Sequence, residues 1–264
     1  MKSYFKILFV ICSIIVLSAC NKKSDDKEIK VGVIAGQEAD LAQVAAKVAK
    51  EKYNINVKII TFSDYNTPNI ALNDGSIDVN VFQHRPYLEQ QIKDHNYKFS
   101  SIGNTFIYPI AAYSNKIKNI KQISQNASIA IPNDPTNMGR ALILLEKNNL
   151  IKLKPNVGLL ATPMDITSNK LNLKFIPLDA AQLPRSLSDV TLAFVNNTYA
   201  SQAGLNINNA IILEDKNSPY VNLIVTKTNN IKNQKLIDFV KAYQSDAVYK
   251  KAILLFHNNI VKGW

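Results

Sequence analysis

"TFIYPIAAYS" (residues 105–114) and "SPYVNLIVTK" (residues 218–227) decide how this chain is built. Both are apolar, β-rich runs, and they flank the second of two series of alternating strand and helix patterns. Read as strands that cross between two α/β units, they give two lobes joined by a hinge. Residues 29–109 together with 223–264 are expected to form the first lobe and residues 110–222 the second.

The first series runs outward from the earlier crossing towards the N-terminus. "IKVGVIAG" (29–36), "INVKIITF" (55–62) and "IDVNVF" (77–82) read as strands. Between them, "EADLAQVAAKVAKEKY" (38–53) spaces its apolar residues at helical period, with Glu38 and Asp40 in the first turn, where the helix dipole favours acids. "TPNIALNDGS" (67–76) reads as a helix closed by its Asp-Gly, and "RPYLEQQIKDHNY" (85–97) as a helix with Pro86 in its first turn, where a missing N–H costs nothing. The second series repeats the plan with "ASIAIPND" (127–134), "PTNMGRALILLEKNNL" (135–150), "LNLKFIPL" (171–178), "VTLAFV" (190–195) and "NNTYASQAG" (196–204). Two helical patterns, "NQKLIDFVKAYQ" (233–244) and "DAVYKKAILLFHNN" (246–259), close the chain. Alternation of this kind predicts an α/β fold in which each lobe is a mainly parallel sheet flanked by helices. Ligands of such sheets sit at the carboxyl ends of strands, which here means the cleft.

The N-terminus has a different character. "MKSYFKILFVICSIIVLSAC" places Lys2 and Lys6 before an apolar run from Ile7 to Leu17, then small residues and Cys20. It reads as a secretory signal peptide, residues 1–19, too short to span a membrane comfortably. "LSAC" (17–20) is similar to the bacterial lipobox, which implies cleavage before Cys20 and attachment of diacylglycerol to its thiol. The only other cysteine, Cys12, lies inside the signal, so no internal disulfide is possible after cleavage. The polar stretch from Asn21 to Glu28 reads as a tether, so residues 20–28 carry the lipid anchor.

Composition narrows the function. The formal net charge is +11, but Lys and Arg are spread along the chain with no basic stripe interleaved with aromatics, which argues against nucleic acid. No P-loop, dinucleotide fingerprint, nucleophile elbow or H-E-x-x-H occurs, so no cofactor and no enzyme activity is expected. The three histidines, His84, His95 and His257, have no preformed zinc spacing, although a site built from His84, His95 and a carboxylate stays open.

Three clusters at strand ends carry the remaining chemistry. Tyr65 follows one strand, and Phe82, His84 and Tyr87 follow another. Arg140 lies near the start of the helix opened by "PNDPTN", where a guanidinium and unsatisfied N–H groups suit a carboxylate or phosphate. Asn196 and Asn222 each offer a donor and an acceptor, so either can serve one end of a zwitterion. The alternatives are plain: Arg140 as a solvated helix residue, the rings as core, and Asn196 as a helix cap. The residues by themselves point to a secreted two-lobe binding protein for a small anionic or zwitterionic ligand.

A resemblance sharpens this. "FSDYNTPNIALNDGSIDVNVFQHRPYLEQQ", "IAIPNDPTNMGRALILL", "LDAAQLPRSLSDV", "AFVNNTYASQAGL" and "EDKNSPYVNLIVTK" occur in the order seen in the methionine-binding lipoprotein family (MetQ/NlpA type), substrate-binding subunits of methionine ABC importers. The resemblance implies a two-lobe periplasmic-binding-protein fold (type II-like) that closes on L-methionine. It implies delivery to an ABC transporter permease and, through it, the ATPase, from a lipid anchor facing the periplasm or cell exterior. Carried over by position, Arg140 takes the ligand carboxylate and Asn196 and Asn222 hold its amino-acid end. Tyr65, Phe82, His84 and Tyr87 surround the side chain, with His84 donating to sulfur or to the polar end. D-methionine, a methionine-containing dipeptide, or a surface interaction (adhesin) role are the alternatives.

Overall fold

The computed structural model describes residues 28–264. The expected signal peptide, Cys20 and most of the tether lie outside the described residues. The first series folds into β1 (Glu28–Ile34), α1 (Gln37–Tyr53), β2 (Asn56–Phe62), α2 (Thr67–Asp74), β3 (Val79–His84), α3 (Arg85–His95) and β4 (Phe99–Ile107). The helical period of α1 buries Leu41, Ala42, Ala45, Val48 and Ala49 on one face. Gly75 ends α2 in the left-handed conformation (φ 88°), which a residue with a Cβ adopts only at a cost.

The second series comprises β5 (Ala111–Tyr113), β6 (Ser128–Pro132), α4 (Pro135–Lys147), β7 (Lys152–Leu153), β8 (Ile166–Ser168), β9 (Lys174–Leu178), β10 (Leu192–Val195), α5 (Asn197–Gln202) and β11 (Ile212–Leu213). The chain then closes with β12 (Val221–Lys227), α6 (Gln234–Tyr243), α7 (Asp246–Leu255) and β13 (Val261–Lys262).

Two sheets result. One has the order β13-β4-β12-β3-β1-β2 and the other β11-β5-β10-β6-β9, while β7 and β8 pair separately. The chain passes from the first sheet to the second at residues 108–110 and returns at residues 214–220. Asn222 therefore stands in β12 of the first sheet, opposite His84 of β3.

Each sheet is mixed rather than mainly parallel. The βαβ strands β2, β1 and β3 run parallel, as do β9, β6 and β10. The strands adjoining the crossings pair antiparallel: β12 with β3 and β4, and β5 with β10 and β11. A strand that returns from the other lobe enters from the sheet's far end. It needs no crossover helix and so lies antiparallel.

Behind the first sheet, α1, α6 and α7 bury Val31, Val33, Val79, Val81, Phe239 and Tyr243 in one apolar cluster. In the second lobe, Ile129, Ile131, Leu142, Leu145 and Phe194 form another. A third cluster spans both lobes, joining Ile34, Phe82 and Tyr87 of the first to Tyr113, Val195 and Tyr199 of the second. The lobes thus meet along an apolar seam, and the strand ends open into it.

Candidate functional site

The six residues of β3 are all buried, and the strand ends on His84, which caps α3. His84 Nδ1 accepts the Tyr87 backbone N–H at 3.1 Å, which puts the imidazole proton on Nε2. That nitrogen lies 3.2 Å from Asn137 Oδ1, on α4 of the other lobe, and donates to it. Asn137 is oriented in turn: its Nδ2 donates to both Asp134 oxygens, and its Oδ1 also accepts from Asn196 Nδ2 at 2.9 Å. Burial pushes the His84 pKa down to about 3, and the nearby Arg140 charge adds to the effect, so the ring is neutral. Both of its nitrogens are committed within the protein. The N–H donor expected from the sequence is engaged by Asn137 here, and the ring lines the cavity.

Aromatic rings line this junction. Tyr65 packs against Phe82, Tyr87 and Tyr199, with centroids 5.9, 6.3 and 5.0 Å apart. Tyr87 Oη donates to the Tyr65 carbonyl at 3.0 Å, fixing the wall. Polar side chains join these rings in the lining. Arg140 on α4 is 3% exposed and lies over the Tyr220 ring, 4.2 Å from its centroid. Its Nε donates to Glu214 Oε1 at 2.8 Å, and its Nη2 donates to Glu214 Oε2 and, at 3.0 Å, to the Tyr108 carbonyl. Asn222 Nδ2 donates to the Phe82 carbonyl. Asn196 occupies the N-cap position of α5 but makes no side-chain cap; its Oδ1 is buried and has no partner among the described residues.

Tyr65, Phe82, His84, Tyr87, Arg140, Asn196 and Asn222 all line one cavity between the lobes. Gln83, Tyr108, Asn137, Asn197 and Thr198 complete its wall. Arg140 is not a solvated helix residue. The rings are both core and wall, since Phe82 and Tyr87 belong to the apolar seam and face the cavity. His84 and His95 stand at opposite ends of α3, about 16 Å apart at the helical rise, too far for one metal ion.

Three further contacts hold the lobes together. Thr198 Oγ1 donates to the buried Glu38 carboxyl on α1, Tyr199 Oη to the Ser63 carbonyl, and Gln202 Nε2 to the Ala35 carbonyl. Sequence reasoning missed Glu38, Asn137, Thr198 and Glu214. Asn137 was open to discovery, because Asp134 and Asn137 stand at cap and N3 positions of a helix start. Glu214 carries no periodic signal; only the need of a buried Arg140 for a carboxylate points to one.

A model of the NlpA lipoprotein family matches residues 29–264. The chain belongs to the NlpA lipoprotein family. It is 51% identical over 266 residues to the D-methionine-binding lipoprotein MetQ of Escherichia coli (strain K12), covering 100% of this chain and 98% of the relative. Two solved structures are also similar. An ABC transporter periplasmic substrate-binding protein from Coxiella burnetii is 49% identical, with a TM-score of 0.86 over 89% of this chain and 100% of that one. A nutrient-binding protein from Burkholderia cenocepacia bound to methionine is 46% identical, with a TM-score of 0.87 over 89% and 100%. This NlpA-family chain therefore has the two-lobe architecture of periplasmic substrate-binding proteins, and its cavity lies where the lobes meet.

Proposed function

We propose that this protein is a lipid-anchored, extracytoplasmic receptor that captures L-methionine in the interlobe cavity and delivers it to an ABC transporter permease driven by an ATPase. The observation that carries this reading is the make-up of the cavity. Its lining combines the ring cluster of Tyr65, Phe82 and Tyr87 with the polar side chains of Arg140, Asn196 and Asn222. A thioether is polarizable and gains from aromatic contact, while a zwitterionic end needs a cation, an acceptor and little water. In this pose Arg140 holds the carboxylate, and the unpartnered Asn196 Oδ1 accepts from the ammonium. The protein is a binder, with no catalytic residue and no cofactor. Cys20 carries the lipid that keeps it at the membrane facing the periplasm or cell exterior. Closure couples capture to recognition, because a permease that prefers the closed shape discriminates loaded from empty receptor.

D-methionine is the second reading, favoured by the name of the Escherichia coli relative. Mass spectrometry of small molecules released by denaturing the freshly purified protein, followed by chiral chromatography, tests both. Methionine in near-stoichiometric amount is expected, and its handedness decides between the two readings. Another amino acid in its place would overturn them.

A further inference from the structure

Glu214 is a buried carboxylate that ligand binding, as described so far, does not use. It is 6% exposed and stands where the chain leaves β11 for the second crossing. Its two oxygens take the Nε and Nη2 edge of Arg140. One of them also accepts the Ile110 N–H at 3.3 Å, and the Glu214 backbone N–H returns a bond to the Ile110 carbonyl at 3.1 Å. The same Arg140 Nη2 reaches the Tyr108 carbonyl, and Tyr220 covers one guanidinium face. Residues 108–110 form the first crossing, and Glu214 and Tyr220 begin and end the second. The guanidinium is thus fastened to both crossings through one carboxylate.

This arrangement leaves Arg140 one free nitrogen, Nη1. Nε and Nη2 are spent, and Nη1 has no hydrogen-bond partner among the described residues while Arg140 lines the cavity. A guanidinium gripped along one edge cannot turn, so its remaining donors keep one direction. Its charge is also balanced before any ligand arrives, because an unpaired cation buried this deeply would be costly.

We infer that Glu214 is the positioning residue for Arg140: by gripping one edge of the guanidinium and tying it to both crossings, it aims Nη1 at the ligand carboxylate and sets the preference for ligands that carry one. This rests on the proposed pose of methionine. Glu214 touches no ligand in it and acts only through Arg140.

The test compares methionine with 3-(methylthio)propylamine, the same molecule without its carboxylate, by competition binding on the full chain purified in detergent. Wild type prefers methionine. In Glu214→Gln, which keeps shape and loses charge, the preference falls by about tenfold or more, the equivalent of one well-made charge-assisted hydrogen bond. Affinity for the amine changes little. Glu214→Asp, which keeps charge and loses reach, lowers the preference in the same direction and serves if the Gln variant does not fold. A merely structural glutamate would weaken both ligands alike. An unchanged preference in the Glu214 variants, alongside its collapse in Arg140→Ala, overturns the inference and leaves the pose intact. An unchanged preference in Arg140→Ala as well overturns the pose and the inference with it.

Discussion

His84 Nε2 and Asn137 Oδ1, 3.2 Å apart, form a buried hydrogen bond between the two lobes. The bond exists because Tyr87 N–H occupies Nδ1 and fixes the tautomer, and because Asp134 fixes the Asn137 amide. It joins the end of β3 to the start of α4, so it forms only when the lobes meet. Asn196 is tied to it, because its Nδ2 donates to the same Asn137 oxygen.

Asn137→Ala should therefore weaken methionine binding without unfolding the protein. It removes the acceptor of both His84 Nε2–H and Asn196 Nδ2–H. An expected loss of about 1–3 kcal/mol follows from leaving such groups unpaired. Titration calorimetry reads it directly, and an affinity equal to wild type would show that the cross-cleft bond does not contribute to closure.

Two buried groups give the stability a defined pH profile. Burial pushes the Glu38 pKa up to about 8, partly offset by the Thr198 hydrogen bond, from an ordinary 4.5. Between those values the folded chain holds a proton that the unfolded chain has released, so stability falls as pH rises towards 8. His84 is held down to about 3 from 6.5, so its contribution is lost as pH falls through that window and complete above 6.5. The slopes oppose each other between 4.5 and 6.5. The thermal midpoint should be level there and fall above it. Glu38→Gln should remove the alkaline fall, and an unaltered fall in that variant would exclude Glu38 as its source.

The aromatic wall should recognise sulfur. Norleucine replaces the thioether by a methylene, and each sulfur–aromatic contact is worth roughly 0.3–1.5 kcal/mol. Norleucine should bind more weakly than methionine, and Phe82→Leu should narrow the gap. Equal affinities for the two ligands in wild type would remove the rings from any role in choosing the side chain.

Gly139 is needed for packing. A Cβ built there would lie 2.1 Å from the Leu159 carbonyl oxygen, a backbone atom with little room to retreat. Gly139→Ala should lower stability by about 1–3 kcal/mol through overpacking, seen as a lower thermal midpoint. It should also disturb Arg140, the next residue on α4.

Much of this was legible in the sequence because it is local. The helical period of residues 38–53, the Asp-Gly stop after α2 and Pro86 in the first turn of α3 are patterns within a dozen residues. The seven candidate site residues were found at strand ends, where α/β sheets gather ligands, and their resemblance to a known family supplied the roles. Contacts between distant segments were not legible. Glu38 meets Thr198 across 160 residues of chain, and Arg140 meets Glu214 across 74. No pattern near either residue announces its partner. The mixed sheets were missed for the same reason: the antiparallel pairing of β12 depends on how the chain returns through the second crossing. His84 shows the limit most clearly. Its place on the cavity wall followed from the strand end, but the commitment of both its nitrogens depends on Asn137 in the other lobe.

The central claim is that the cavity holds methionine with its carboxylate on Arg140. Titration calorimetry of ligand-stripped protein with L- and D-methionine, on wild type and Arg140→Ala, addresses it most directly. One saturable site for methionine is expected in wild type, weakened in Arg140→Ala by roughly 2–5 kcal/mol as a buried carboxylate loses its partner. No saturable binding of either enantiomer, or equal affinity in the two proteins, would contradict it.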